Sequence, residues 1–249
     1  MTDKLRTPMM QATQAEPQKE KPTIVGYDAG FHNKDMEASI QKMVEQGHYK
    51  DQSTVIIIPA LNSVATKAAS SWWNIMFPPN QKVVKLFAQN MEVGEAYSQT
   101  IDMVLSHPEL KNYKYILTLE ADNVVPPDVL TKLLATMEAH PEYACIGALY
   151  WCKGEGKAPQ LWGDPTDPVL NFRPQIPRLG EVQEVCGTGM GANLWRMDMF
   201  RDERLRKPWF KTQGGTQDLY FWHDARKYYR CAVDTNILVG HVDKDGFVW

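Results

Sequence analysis

Two carboxylates stand two positions apart in the segment Leu119-Glu120-Ala121-Asp122-Asn123. They follow the apolar run Tyr115-Ile116-Leu117 and precede Pro126-Pro127-Asp128, a helix-start signal. In open α/β sheets, ligands bind beyond the carboxyl ends of strands. Carboxylates so placed can hold a hard divalent cation, and that cation can bridge a diphosphate. The same residues also suit a plain, solvated strand-to-helix loop. A second candidate is Asp218 in Thr216-Gln217-Asp218-Leu219, at an expected helix start where the dipole favours the ionised form. Aimed into a cleft it is a general base for a hydroxyl; otherwise it is a helix cap. His241 follows the apolar run Ile237-Leu238-Val239-Gly240, where an imidazole can be a metal ligand or a structural side chain. Gly187-Thr188-Gly189-Met190-Gly191-Ala192 fits the dinucleotide pattern G-x-G-x-x-A. It lies late in the chain, however, and opens no long βαβ unit. No acidic residue ends a second strand about 20 residues on, as that pattern requires. It reads better as a glycine-rich wall that lets backbone approach a ligand closely.

Positioning these residues takes a particular order of elements. Thr54-Val55-Ile56-Ile57-Ile58, closed by Pro59, is the β-branched run of a strand buried on both faces. Further strands are predicted at 82–87, 113–119 and 143–150, with helices at 63–76, at 94–106 and from the prolines 126–127 onward. Alternation of strand and helix implies a parallel sheet with helices on both faces. A short helix over 34–46 precedes this unit. Beyond it, 154–177 reads as a long loop rich in Gly, Pro and Asp, of the kind that often carries function. Strands at 181–185, 230–234 and 237–240 and a helix at 216–229 complete the pattern. Residues 1–22, rich in Gln, Lys, Glu, Pro and Thr, read as a disordered tail.

Composition narrows the classes. The chain has 249 residues, enough for a full core without disulfides or structural metal. Its net charge of −3 excludes a protein held to nucleic acid by bulk charge, though not a local basic patch. The longest apolar run, Val55 to Ile58, is far short of the roughly 20 residues of a membrane span. With no apolar leader in 1–22, a cytoplasmic location is expected. The four cysteines show no CxxC spacing and read as thiols.

Taken in order, these segments resemble the GT-A glycosyltransferases of family 2, over about residues 53–243. The landmarks are the first strand with Pro59 and Asn62, the DxD-type segment, Tyr150-Trp151-Cys152-Lys153, the 187–192 loop with Arg196 after it, Pro208-Trp209-Phe210, Thr216-Gln217-Asp218 and Gly240-His241. The resemblance implies a single α/β GT-A domain over 23–249, with a nucleotide-binding half at about 53–152 and an acceptor half at about 153–249. Its sheet would be mostly parallel and flanked by helices. It also implies a nucleoside-diphosphate sugar, UDP-linked in the favoured case, as donor. Asp122, Glu120 and His241 would hold Mn²⁺ or Mg²⁺, Glu120 sharing the donor ribose. Pro59, Ala60, Asn62, Lys153 and Gly189 would contact the donor, and Trp209, Gln217 and Arg196 the acceptor. Asp218 matches the acid that deprotonates the acceptor hydroxyl in inverting members. The sequence departs from the pattern at Glu120, where the first acid is usually Asp, and at Gln217, where many relatives carry Glu. It also reads Ala96-Tyr97-Ser98-Gln99 where many carry an Arg-Asn pair.

The acceptor is open at this level. Arg196, Arg201, Arg204, Arg206, Lys207 and Lys211 make a local basic stretch. It is either a solvated face or a site for a phosphorylated acceptor, such as a lipid-linked glycan or hydroxymethylated DNA of phage type. A neutral glycan or small molecule is the other acceptor class. Competing functions are a non-catalytic nucleotide- or sugar-binding module, a sugar-phosphate nucleotidyltransferase and an NAD enzyme. The nucleotidyltransferase would need a basic, glycine-rich loop after the first strand, and Pro59-Ala60-Leu61-Asn62-Ser63-Val64 has neither feature.

Overall fold

The computed structural model describes residues 21–28, 34–60, 63–152, 157–212, 216–246 and 248. In chain order its elements are β1 (Thr23–Asp28), α1 (Lys34–Glu45), β2 (Thr54–Ala60), α2 (Thr66–Trp73), β3 (Val83–Gln89), α3 (Val93–Ser106), β4 (Tyr115–Leu119) and β5 (Asn123–Val124). There follow α4 (Val129–Ala139), β6 (Cys145–Leu149), β7 (Leu161–Trp162), β8 (Val182–Val185), β9 (Gly187–Thr188), β10 (Ala192–Arg196), α5 (Gln217–Ala225), β11 (Cys231–Leu238) and β12 (Gly240–His241).

Eight strands form the central sheet in the order β1-β3-β2-β4-β10-β6-β11-β8. β2 pairs in parallel with both β3 and β4, and β6 with β11. Because β10 is antiparallel to both β4 and β6, those two share a direction. β2, β3, β4, β6 and β11 therefore all run one way, and β1, β8 and β10 run against them. The sheet is mixed but mostly parallel, flanked by helices in one α/β domain.

Two apolar cores cover its faces. One packs Val55, Ile57, Tyr97, Ile101 and Ile116 against an aromatic group from β10, the 197–210 segment and α5. There Trp195 stacks on Trp222 at 5.4 Å and meets Phe221 edge-on at 5.4 Å, while Phe210 stacks on Phe221 at 4.7 Å. The other packs Ile56, Ile58, Leu117 and Leu119 against α2 and α4 through Trp72, Val129, Leu133 and Met137. β2 is buried at all seven positions, as its unbroken apolar run demands.

The structure departs from the expected elements at several points. β1 and β10 were not predicted as strands. β1 is an edge strand containing Gly26, and β10 carries Asn193 at its second position; both residues are poor strand formers. Asn193 is tolerated because its side-chain amide donates to the Gly189 carbonyl at 2.7 Å. The two strands expected at 230–234 and 237–240 are one strand, β11, with a register shift after Asp234. α2 begins at Thr66 without a side-chain cap, not at Ser63, and α4 begins at Val129, past the two prolines. Apart from residues 21–22, which lead into β1, the predicted tail lies outside the described residues.

Candidate active site

The carboxyl ends of β2, β4 and β6 open into a cavity of about 570 Å³. Pro59 and Ala60 line it from β2, Met91 to Val93 from the start of α3, and Glu120 to Asp122 from the end of β4. Tyr150, Cys152, Gln160, Thr216, Gln217, Asp218 and His241 complete the lining.

Glu120, Asp122 and His241 each offer a ligand atom within 4.8 Å of the others. Their meeting is built by backbone. β5 pairs antiparallel with β12, setting His241 opposite Asn123, and the Val242 amide donates to the Asp122 carbonyl at 2.8 Å. Asn123 adds a side-chain bond to the Gly240 carbonyl at 3.2 Å. His241 Nδ1 lies 2.9 Å from the Trp151 carbonyl, which accepts its proton and leaves Nε2 bare. Nε2 faces Asp122 Oδ1 at 3.5 Å. A backbone carbonyl that fixes the tautomer and aims the other nitrogen at carboxylates is the usual support of a metal-binding histidine. Two carboxylates and this imidazole fit a divalent cation.

Tyr150 organises the floor. Its hydroxyl accepts from the Gly191 amide at 2.9 Å and lies 3.5 Å from Glu120 Oε2. Burial, with the Glu120 and Asp218 carboxylates nearby, drives its pKa well above the usual 10, so it stays a proton donor toward Glu120. Gln217 donates to Glu120 Oε1 at 3.2 Å. Tyr97, fully buried, donates to the Leu119 carbonyl at 3.0 Å and fixes the strand end just before Glu120.

Asp218 occupies the first turn of α5 and is 4% exposed. Burial raises its pKa, against the opposing hydrogen bonds from Thr216, the Leu219 amide (2.9 Å) and its own amide. A buried carboxylate with a raised pKa in a polar cleft is a proton acceptor in waiting. Across the cavity, burial would also raise the Glu92 carboxyl. Bonds from Thr212, Gly94, Glu95 and Val93 outweigh that and hold its pKa low, as befits the N-cap of α3.

Of the residues singled out in the sequence, the cavity brings together Pro59, Ala60, Glu120, Asp122, Gln217, Asp218 and His241. Asn62 and Lys153 lie outside the described residues. Gly189 stands behind the wall: a Cβ there would come within 2.4 Å of the Tyr150 hydroxyl and 2.7 Å of Gln160 Oε1. Its glycine serves the packing of Tyr150. The 187–192 loop runs into the strand β10 instead of a helix, so it has no dinucleotide-binding form.

Two residues expected at the acceptor lie away from this cavity. Trp209 is 1% exposed, packed edge-on against Phe200 at 5.6 Å within the aromatic core. Arg196 ends β10 opposite Tyr115, at the far end of β4 from Glu120. Its guanidinium donates to the Tyr143 and Met137 carbonyls at 2.9 and 2.7 Å. The rest of the basic stretch is largely neutralised. Arg201 pairs with Asp198, Arg204 with Asp202 and Lys207 with Asp102, while Arg206 stacks on Tyr220 at 3.6 Å. Met91, Glu92, Val93 and Gln160 were not anticipated. They come from the turn that leads into α3 and from the residue just before β7, and only the topology brings them to the strand ends.

Residues 79–194, which span β3 to β10, match the profile of glycosyl transferase family 2. The crystal structure of A197 from STIV is similar in fold, with a TM-score of 0.55 at 19% identity over 79% of this chain and 92% of that one. S. aureus TarS aligns at a TM-score of 0.46 and 13% identity, over 75% of this chain and 36% of its own. No curated protein matches the sequence. The family 2 match supports glycosyl transfer, on an α/β fold similar to that of A197. No helix among the described residues is long and apolar enough to cross a membrane.

Proposed function

We propose that the chain moves a glycosyl group from a nucleoside-diphosphate sugar to an acceptor hydroxyl, with inversion at the anomeric carbon. The observation that carries this reading is one cavity lined by both the Glu120–Asp122–His241 cluster and the buried Asp218. The acceptor oxygen attacks the anomeric carbon as the bond to the diphosphate oxygen breaks. The electron pair leaves with the diphosphate, and the hydroxyl proton passes to Asp218. Glu120, Asp122 and His241 would hold Mn²⁺ or Mg²⁺, which supplies charge neutralisation to the leaving group. Tyr150 and Gln217 hold Glu120 in place from two sides. Pro59 and Ala60 give the nucleoside end of the donor an apolar wall.

Charge accounting bears on the acceptor. Most of the basic stretch is bound to carboxylates, carbonyls or rings, and the cavity rim instead carries Glu92. That favours a neutral, hydroxyl-rich glycan or small molecule over modified DNA, which would need several phosphate contacts. The test is cleavage of α-linked UDP-sugars with Mn²⁺, with the first-formed anomer read by proton NMR before mutarotation. A β-product that disappears in Asp218→Asn is expected. An α-product would overturn inversion, and no cleavage of any nucleoside-diphosphate sugar would overturn the donor class.

A further inference from the structure

A second cavity, of about 370 Å³, lies on the α2 side of the sheet and shares only the Ala60 wall with the candidate active site. Tyr27, Trp72, Trp73, Phe87 and Gln89 line it. At its base is Lys85, in the middle of β3, opposite Ile56 on β2 and Tyr27 on β1. Every neighbouring strand position on this face that enters the core is apolar, yet the lysine there is 5% exposed.

The ammonium has incomplete compensation. One of its three donors goes to the Trp72 carbonyl at 2.6 Å, near the end of α2. The partial charge of a helix end, about −0.5, offsets only part of a full positive charge. The Trp73 and Phe77 rings stand 5.4 and 5.2 Å from Nζ. Among the described residues no carboxylate pairs with it, and burial alone pulls its pKa down. A buried charge is ordinarily matched by an opposite one. Around it the cavity supplies flat rings, two of them reaching the surface: Trp73 is 74% and Tyr27 54% exposed. Tyr27 meets Phe87 edge-on at 5.9 Å, so the wall is a built corner and not a stray side chain. The volume is within the range of small-ligand sites, roughly 300–1,000 Å³.

We infer that this cavity is a second binding site, for a sugar ring bearing a phosphate or carboxylate, with the anion on Lys85 and the ring against Trp73 and Tyr27. The sugar as the ring rests on the proposed glycosyl transfer; the anion does not. Two sources share this chemistry: an acidic residue of a carbohydrate chain and a free sugar phosphate.

The test is a calorimetric titration of the full chain in EDTA with glucose 1-phosphate, methyl glucuronide, glucose and inorganic phosphate. At least one of the two sugar anions should bind ten or more times tighter than glucose and than phosphate. Preference for the glucuronide assigns the carbohydrate-chain source, and preference for glucose 1-phosphate the free metabolite. Lys85→Met should erase the advantage over glucose. Trp73→Ala, at an exposed position that cannot unfold the core, should weaken the sugar anion at least fivefold. Asp122→Ala should leave the titration unchanged. Equal binding of glucose and its phosphate, phosphate binding as tightly as the sugar anions, or indifference to Trp73→Ala would each overturn the inference. Loss of binding in Asp122→Ala would assign the ligand to the metal-cluster cavity and overturn it too, while leaving the proposed function intact.

Discussion

Asp218→Asn separates chemistry from folding at one atom pair. The amide keeps the oxygen that accepts from the Leu219 amide at 2.9 Å and keeps the side-chain volume. It loses the negative charge and with it the ability to take a proton. General-base catalysis contributes about 10²–10⁴-fold, so the barrier should rise by about 2.7–5.4 kcal/mol. Stability should move the other way. Burial raises the folded pKa of Asp218 above its ordinary 3.8, so the native state binds more protons than the unfolded chain just above that pH. Stability is then greatest below the unfolded pKa and falls as pH rises through the folded one. Each tenfold gain in proton affinity on folding corresponds to about 1.4 kcal/mol lost at neutral pH. Asparagine removes that loss, and each kcal/mol is worth about 2–4 °C in a domain of this size. Calorimetric melts at pH 4 and pH 7.5 should show the variant gaining on wild type as pH rises, with donor affinity unchanged and kcat down at least a hundredfold. A variant within tenfold of wild-type kcat, or one less stable than wild type at pH 7.5, would refute the assignment.

Gly191→Ala would place a Cβ 2.6 Å from the Tyr150 ring, and overpacking there should cost about 1–3 kcal/mol, read as a lower melting temperature. A melt like that of wild type would remove Tyr150 as the organiser of the site floor. Arg196→Met strips charged hydrogen bonds from two carbonyls and should cost about 1.5–3 kcal/mol in urea unfolding, with the acceptor KM unchanged. A raised acceptor KM at unaltered stability would restore the acceptor role that its position denies.

The first half of the fold was legible because burial on both faces leaves a continuous apolar run, as in Val55 to Ile58, and amphipathic helices leave a period of 3.6. β10 was not legible. A strand that enters from a glycine loop and holds an asparagine at its second position has no local signature, and the Asn193 bond to Gly189 helps hold it. At the site, Glu120, Asp122, Asp218 and His241 were readable because each sits at a boundary between elements, where the neighbouring run fixes its position. The places of Trp209 and Arg196 were not legible, for a physical reason. Aromatic and cationic side chains look the same in sequence whether they face a ligand, a core or a carbonyl. Tyr150 carries its role through contacts with residues 30 and 41 positions away, which no spacing rule anticipates.

The central claim is that Glu120, Asp122 and His241 hold a cation that joins a nucleoside diphosphate to this cavity. Thermal melts with UDP, GDP, CMP and NAD, each with Mn²⁺ or EDTA, test it most directly in wild type, Asp122→Ala and His241→Ala. A ligand at 100 times its Kd adds about 2.7 kcal/mol, a shift of about 5–11 °C for a domain of this size. The account predicts that shift with one nucleoside diphosphate and Mn²⁺ together, and its loss with EDTA or in either variant. A shift indifferent to metal, one that survives both substitutions, or no shift with any nucleoside diphosphate would contradict it.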